Sequence, residues 1–185
     1  MKKSYIVPII ALVLTVATTV MAAETAPPEI VATKAIGQLG QEMRKKLVDS
    51  MQKNGPAGSI TVCAKDAPTI AARIENELGV TIKRTSLKVR NPRNAPDAKE
   101  QELLEFLAAS SLASKQLTPG IKMFPNDPRR FYKVIMVEQV CLKCHGDATT
   151  MNEEVRKEVR GTYPDDKAIG YNAGDLRGII SVTVK

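Results

Sequence analysis

Apolar residues fall into two periods along this chain, and the change between them marks out its elements. From Ile30, the positions Ala32, Ile36, Leu39, Met43, Leu47 and Met51 recur every three or four residues. That spacing predicts a long amphipathic helix, which Gly55-Pro56 should end. Ser59 is placed to cap a second helix, whose face carries Cys63, Ala67, Ile70, Ile74 and Leu78. Pro68 removes a backbone donor, so this helix is expected in two pieces broken near Asp66. Gly79 stops it. Val80 to Arg84 alternates β-branched and polar residues and reads as a strand. Residues 85–97 (TSLKVRNPRNAPD) read as a structured loop. A third helix starts at Asp97 or Ala98, with Leu103, Leu104, Phe106, Leu107 and Leu112 as its apolar surface. After a turn at Thr118-Pro119-Gly120, strands are expected at 121–124 and 131–137, separated by Asn126-Asp127-Pro128. Residues 151–159 read as a short helix. A polar turn at 171–175 leads into a last strand, 178–184. Too few β-α-β units occur for a doubly wound sheet, so the fold class expected is α+β with a small antiparallel sheet.

The start of the chain follows a different pattern. Lys2 and Lys3 precede an apolar run from Ile6 to Val16, and Val20-Met21-Ala22-Ala23 supplies small residues. This is the three-part form of a secretory signal peptide. The run is about half the ~20 residues a spanning helix needs. Residues 1–23 are therefore expected to be removed, leaving 24–185 as one domain with no stable membrane span. The short leader and paired lysines suit a bacterial periplasmic protein.

Composition narrows the function. Of 185 residues, 43% are hydrophobic and 25% charged, enough for an ordinary core. Aromatics are 4% and Trp is absent, which disfavours base-stacking nucleic-acid modules. Phosphate-binding glycine loops are missing. A single His excludes sites that need two imidazoles, and three Cys leave one unpaired in any pairing. The net charge of +7 falls by two when Lys2 and Lys3 leave. The remaining excess suits acidic partners or an anionic cofactor rather than nucleic acid.

Chemistry concentrates in Cys141-Leu142-Lys143-Cys144-His145-Gly146. C-x-x-C-H is the attachment sequence of c-type haem. Two thiols three positions apart reach the two vinyl groups of one porphyrin edge, and the adjacent His supplies an axial nitrogen. A plain disulfide, a thioredoxin-like redox pair and a zinc site are the alternatives. The redox pair wants a βαβ setting that is not visible here. Zinc would need a fourth ligand from Cys63 or a carboxylate. The other face of the iron is open to Cys63, to a Met, to water or to nothing. Met43, Met51, Met123, Met136 and Met151 are the candidate methionines. Chemistry alone leaves Cys63 as a ligand, a buried thiol or an intermolecular disulfide partner.

Several segments resemble one family, the c-type haem proteins with a PAS-like fold. They are Val62-Cys63, Ala67-Pro68-x-Ile70-Ala71, Arg84-Thr85-Ser86-Leu87 and Arg90-Asn91-Pro92-x-Asn94-Ala95-Pro96-Asp97, followed by the C-x-x-C-H-G motif. Ala168-x-Gly170-Tyr171-x-x-Gly174-Asp175-x-Arg177-Gly178 closes the pattern. Members of that family are secreted haem proteins or extracytoplasmic input modules of signalling proteins. The resemblance implies a PAS-like domain with one covalent haem c, thioethers at Cys141 and Cys144, His145 as proximal ligand and Cys63 as distal ligand. One departure is visible. Where the family pattern has an aromatic residue, usually Trp, this chain has Lys99, before Glu100.

Haem propionates need donors and positive charge, and Arg84 and Arg90 are the candidates in the loop of residues 84–97. Asn91 and Asn94 are expected to bond the backbone of that turn. The function expected is one-electron transfer or redox and ligand sensing, with an acidic redox partner or a signalling partner. The alternative is a small haem enzyme of peroxidase or nitrogen-oxide reductase type. A six-coordinate iron with a sulfur ligand leaves no open position, so a non-enzymatic protein is the expectation. The sequence sets no oligomeric state.

Overall fold

The computed structural model describes residues 26–112, 117 and 120–185. The leader and the Thr118-Pro119 turn lie outside them. Helix α1 (Pro28–Gly58) opens on Pro27-Pro28, where a missing amide proton costs no intrahelical bond. It buries Ala32, Ala35, Ile36, Leu39 and Met43, the predicted stripe. Gly55 leaves helical geometry (φ 69°, ψ 178°), and one further helical turn runs on to Gly58.

Two expectations fail just beyond. Ser59 caps nothing. It is itself helical (φ −79°, ψ −10°), and its hydroxyl donates to the Gly55 carbonyl at 2.7 Å. The chain continues helically through this point, so no new set of unpaired amides exists to cap. Nor does the helix break near Asp66. Val62–Asp66 forms a π turn that runs directly into α2 (Ala67–Leu78), with the Ala67 amide bonded to the Val62 carbonyl. The extra residue widens the turn, which accommodates the ring of Pro68 without ending the helix. Cys63 lies in this turn. Gly79 closes α2 in the left-handed conformation (φ 63°).

Four antiparallel strands follow: β1 (Val80–Thr85), β2 (Ile121–Phe124), β3 (Asp127–Met136) and β4 (Leu176–Val184), in the order β1-β4-β3-β2. The last segment of the chain is thus an inner strand, and five consecutive residues, 178–182, are buried. Ile180 and Val182 pack against α1 and α2 with Ile70, Ile74, Val80 and Ile82. Ile179 packs to the other side with Phe124, Tyr132 and the Leu103, Leu104 and Leu107 face of α3 (Ala98–Leu112). The β2–β3 turn is Pro125-Asn126, with Asn126 at φ 56°, rather than Asn126-Asp127-Pro128. Asp127 already pairs with Phe124, and the register then shifts. Pro128 sits in that bulged stretch, where its missing donor interrupts no ladder bond.

The entry to α3 is a reciprocal cap. The Glu100 amide donates to Asp97 Oδ1, and the Asp97 amide donates to Glu100 Oε2, both at 2.9 Å. Glu100 is fully buried, paired with Lys83 Nζ and Arg130 Nη2 at 2.8 Å each. Lys99, at the departure noted above, pairs with Asp127 at 2.9 Å. Gly178 allows a close crossing of β4 and β1. Its φ is 154°, and a Cβ there would lie 2.2 Å from the Thr85 carbonyl oxygen.

Candidate cofactor site

A single turn of 3₁₀ helix (Gln139–Cys141) leads into α4 (Leu142–His145), a four-residue helix carrying the motif. Residues three apart share a helical face, so Cys141 and Cys144 stand side by side with His145 beside Cys144. Helix α5 (Glu153–Thr162), capped by Asn152, supports it. Val155 and Val159 pack with Cys144, Ile60 and Tyr163. The chain leaves α4 at Gly146, where a Cβ would sit 2.6 Å from the Leu142 carbonyl oxygen.

Residues 166–171 hold the motif from the other side. The Gly170 amide donates to the Gly146 carbonyl at 2.9 Å, and the Tyr171 amide to the His145 carbonyl at 3.1 Å. His145 Nδ1 lies 2.7 Å from the Ala168 carbonyl oxygen. A carbonyl only accepts, so Nδ1 carries the proton and Nε2 keeps its lone pair. Burial holds His145 well below the ordinary imidazole range, and the charges of Arg90, Arg177 and Arg84 push the same way. The ring is therefore neutral, the state in which imidazole binds a metal.

Cys63, Arg84, Arg90, Cys141, Cys144 and His145 all line one cavity between the end of α1, the π turn, the end of β1 and α4. The space between atoms is about 1070 Å³, its open mouth included. Leu47, Met51, Ile60, Ile135 and Val140 supply apolar wall. Met51 is the one candidate methionine on the lining. Met43 is buried in the core below the sheet, and Met123 and Met136 are exposed. Cys63, Cys141 and Cys144 are free thiols, and burial raises the Cys144 pKa. No group of three or more His, Cys, Asp or Glu side chains is placed to hold a bare metal ion among the described residues.

Arg90 lines the cavity and is also held by partners within the protein. It is buried, with Nε donating to Asp166 Oδ1 at 3.1 Å and Nη2 to Asp166 Oδ2 at 2.9 Å. Nη2 also reaches the carbonyls of Cys144 and Ala168, at 2.5 and 3.3 Å. It ties the motif helix to the segment that orients His145. Asn91 does bond the turn, its Oδ1 accepting from the Arg93 amide at 3.1 Å. Sequence reasoning singled out neither Asp166 and Ala168, which complete this clamp, nor Lys88, Tyr163 and Arg177, which also line the cavity. Arg177 and Ala168 did stand in the closing pattern of the family resemblance, and that was the available signal.

The profile of the Tll0287-like family (Tll0287) matches residues 12–185. The chain belongs to the Tll0287-like family. Among solved structures, the crystal structure of the cyanobacterial heme-protein Tll0287 is similar at 26% identity and a TM-score of 0.63, covering 83% of this chain and 91% of that one. No curated protein matches. Among the described residues, no helix is long and apolar enough to cross a membrane.

Proposed function

We propose that this chain binds one haem c covalently, through Cys141 and Cys144, with His145 as proximal and Cys63 as distal ligand. The observation that carries the reading is the meeting of these four side chains on one cavity, with the His145 Nδ1 proton held by Ala168 and Nε2 left free. Similarity to a heme-protein of the same family supports it. Haem, when bound, supplies a one-electron iron couple. The residues around it do the rest. The Ala168 carbonyl fixes the ring and raises its basicity as a donor. The apolar wall limits water. A thiolate at Cys63 favours ferric iron and a low potential.

The function proposed is one-electron transfer or redox sensing in the periplasm, on a PAS-like domain, without substrate turnover. Support for the domain type is a four-stranded antiparallel sheet covered by helices on both faces, with the cavity at one end. Sensing has its own support. Cys63 lies in a π turn, an irregularity of helices that recurs at functional sites. That turn runs directly into α2, so a change in what Cys63 holds would act on the start of that helix.

The test is expression of the full chain in cells competent for cytochrome c maturation. A denaturing gel stained for haem should show a band whose colour acid-acetone does not extract. A colourless band overturns the proposal. For the non-enzymatic reading, reduced protein is given hydrogen peroxide, nitrite and hydroxylamine in turn. Sustained turnover of any of them well above free haem moves the protein to the enzyme class.

A further inference from the structure

We infer that Arg84 and Arg177 are the carboxylate receptors of this cavity, one for each propionate, and that Arg90 is a positioning residue of the motif helix. The inference rests on the haem reading above and deepens it.

Charge on the lining is one-sided. Four cationic side chains, Arg84, Lys88, Arg90 and Arg177, line the cavity, and among the described residues no carboxylate does. Two of the four are already engaged. Arg90 is neutralised by Asp166. Lys88 Nζ donates to the Ile169 carbonyl at 3.2 Å and lies 4.7 Å from the centre of the Tyr171 ring.

Arg177 has neither kind of relief in full. Its guanidinium is 5.4 Å from the centre of the same Tyr171 ring, and Nη1 makes one long bond, 3.3 Å, to the Lys88 carbonyl. Burial lowers its pKa, and repulsion from Arg90 and Arg84 adds to this, together outweighing the opposing pull of Tyr171. Arg84 sits at the end of β1. No carboxylate pairs with either Arg84 or Arg177 among the described residues. A partly desolvated guanidinium without an anion is costly, because water's screening is lost and nothing replaces it. Two such groups on one cavity complement a ligand carrying two carboxylates. Planar guanidinium binds carboxylate in a paired, charge-assisted geometry that a lysine does not match.

The test uses holoprotein carrying haem ¹³C-labelled at the propionate carboxyls, made from labelled aminolevulinate. Carbon NMR of the reduced form follows the titration of each carboxyl. In the wild type both are expected to stay ionised to well below the ordinary carboxylate range. Arg177→Gln should raise one of the two apparent pKa values by about one to two pH units, a shift set by loss of a nearby opposite charge. Arg84→Gln should raise the other, and Arg177→Lys should restore most of the first. Arg90→Gln should weaken the fold while leaving both carboxyl titrations in place. If Arg177→Gln takes up no haem, Arg177→Lys and Arg84→Gln still decide. Carboxyls that titrate normally in the wild type, or that ignore both substitutions, overturn the inference. A wild type without attached haem overturns the reading beneath it instead.

Discussion

His145 and Ala168 are joined by a 2.7 Å contact between Nδ1 and a main-chain carbonyl. A carbonyl offers no alternative protonation state, so the ring has one tautomer and one orientation. Ala168 itself is fully buried beside Val137 and Tyr171. Its side chain has no room to grow, and any displacement moves the acceptor. Ala168→Val should therefore cost about 1–3 kcal/mol by overpacking. It should also change the near-ultraviolet and visible spectrum of the haem form, which Val substitutions elsewhere in the core should not. An unchanged spectrum with lowered stability would separate packing from ring orientation.

Arg90 and Asp166 form a buried pair, with each side chain under a tenth exposed. Arg90→Gln strands the carboxylate and removes the bond to the Cys144 carbonyl. Urea unfolding should show a loss of about 3–5 kcal/mol. Adding Asp166→Asn should recover part of it, because the stranded charge is then gone. Equal losses in the single and double variants would mean the ion pair contributes nothing beyond shape.

Asp97 links helix capping to acid stability. Partial burial pushes its pKa up, but the Arg130 guanidinium and the Glu100 amide outweigh this and hold it below the usual value. A group depressed in the folded state contributes stability above its unfolded pKa, about 3.9, and loses it as pH falls through the folded value. Asp97→Asn keeps a capping oxygen but not the charge beside Arg130, so at pH 7 it should lose the share of stability that the wild type loses on acidification, and its decline below pH 4 should be shallower than the wild type's. Asp97→Ala should lose about 1 kcal/mol at pH 7 as well. Thermal unfolding across pH 2.5–7, in the sense of about that range of buffers, reads both effects.

Cys63→Ala tests the distal face. With haem attached as proposed, the variant should lose the sulfur signature in its ferric EPR spectrum, admit carbon monoxide faster and show a raised potential. An identical EPR spectrum would leave Cys63 as a packing thiol.

Gly178→Ala should be the most disruptive alanine among the described glycines. The added carbon meets backbone of β1 at 2.2 Å, in a conformation that non-glycine residues rarely adopt. The cost should exceed about 2 kcal/mol, since strain of this kind is worth 1–3 kcal/mol before the clash is counted. A melting temperature within about one degree of wild type would show that the strands can part without loss.

What was legible in the sequence was local. The α1 stripe, the stop at Gly79 and the motif depend on neighbours a few positions apart, and each is where periodicity or spacing put it. What failed was decided by longer-range fit. Pro68 carries a breaker signal, yet one extra residue in the preceding turn absorbs its ring. Ser59 has a capping side chain, but the helix does not restart there. Arg90 is a cavity residue as expected, but its partner lies 76 positions away in a segment with no motif of its own. Arg177 stood in the closing pattern, but its place on the cavity did not show, because only the folded sheet brings the start of β4 to the loop after β1. The buried Glu100 gave no sign of burial, since two cations from different strands make it tolerable.

The place of β4 sets an order of events for the chain. Residues 176–184 are made after β1, β2, β3 and the motif, yet among the described residues β1 has no other sheet partner and the β2–β3 pair meets β1 only through them. Synthesis runs from the N-terminus, so Cys141, Cys144 and His145 emerge while the sheet is still open. The thiols are thus presented before the wall that encloses them is complete. A ribosome that stops before residue 176 yields not a shortened domain but one that cannot close.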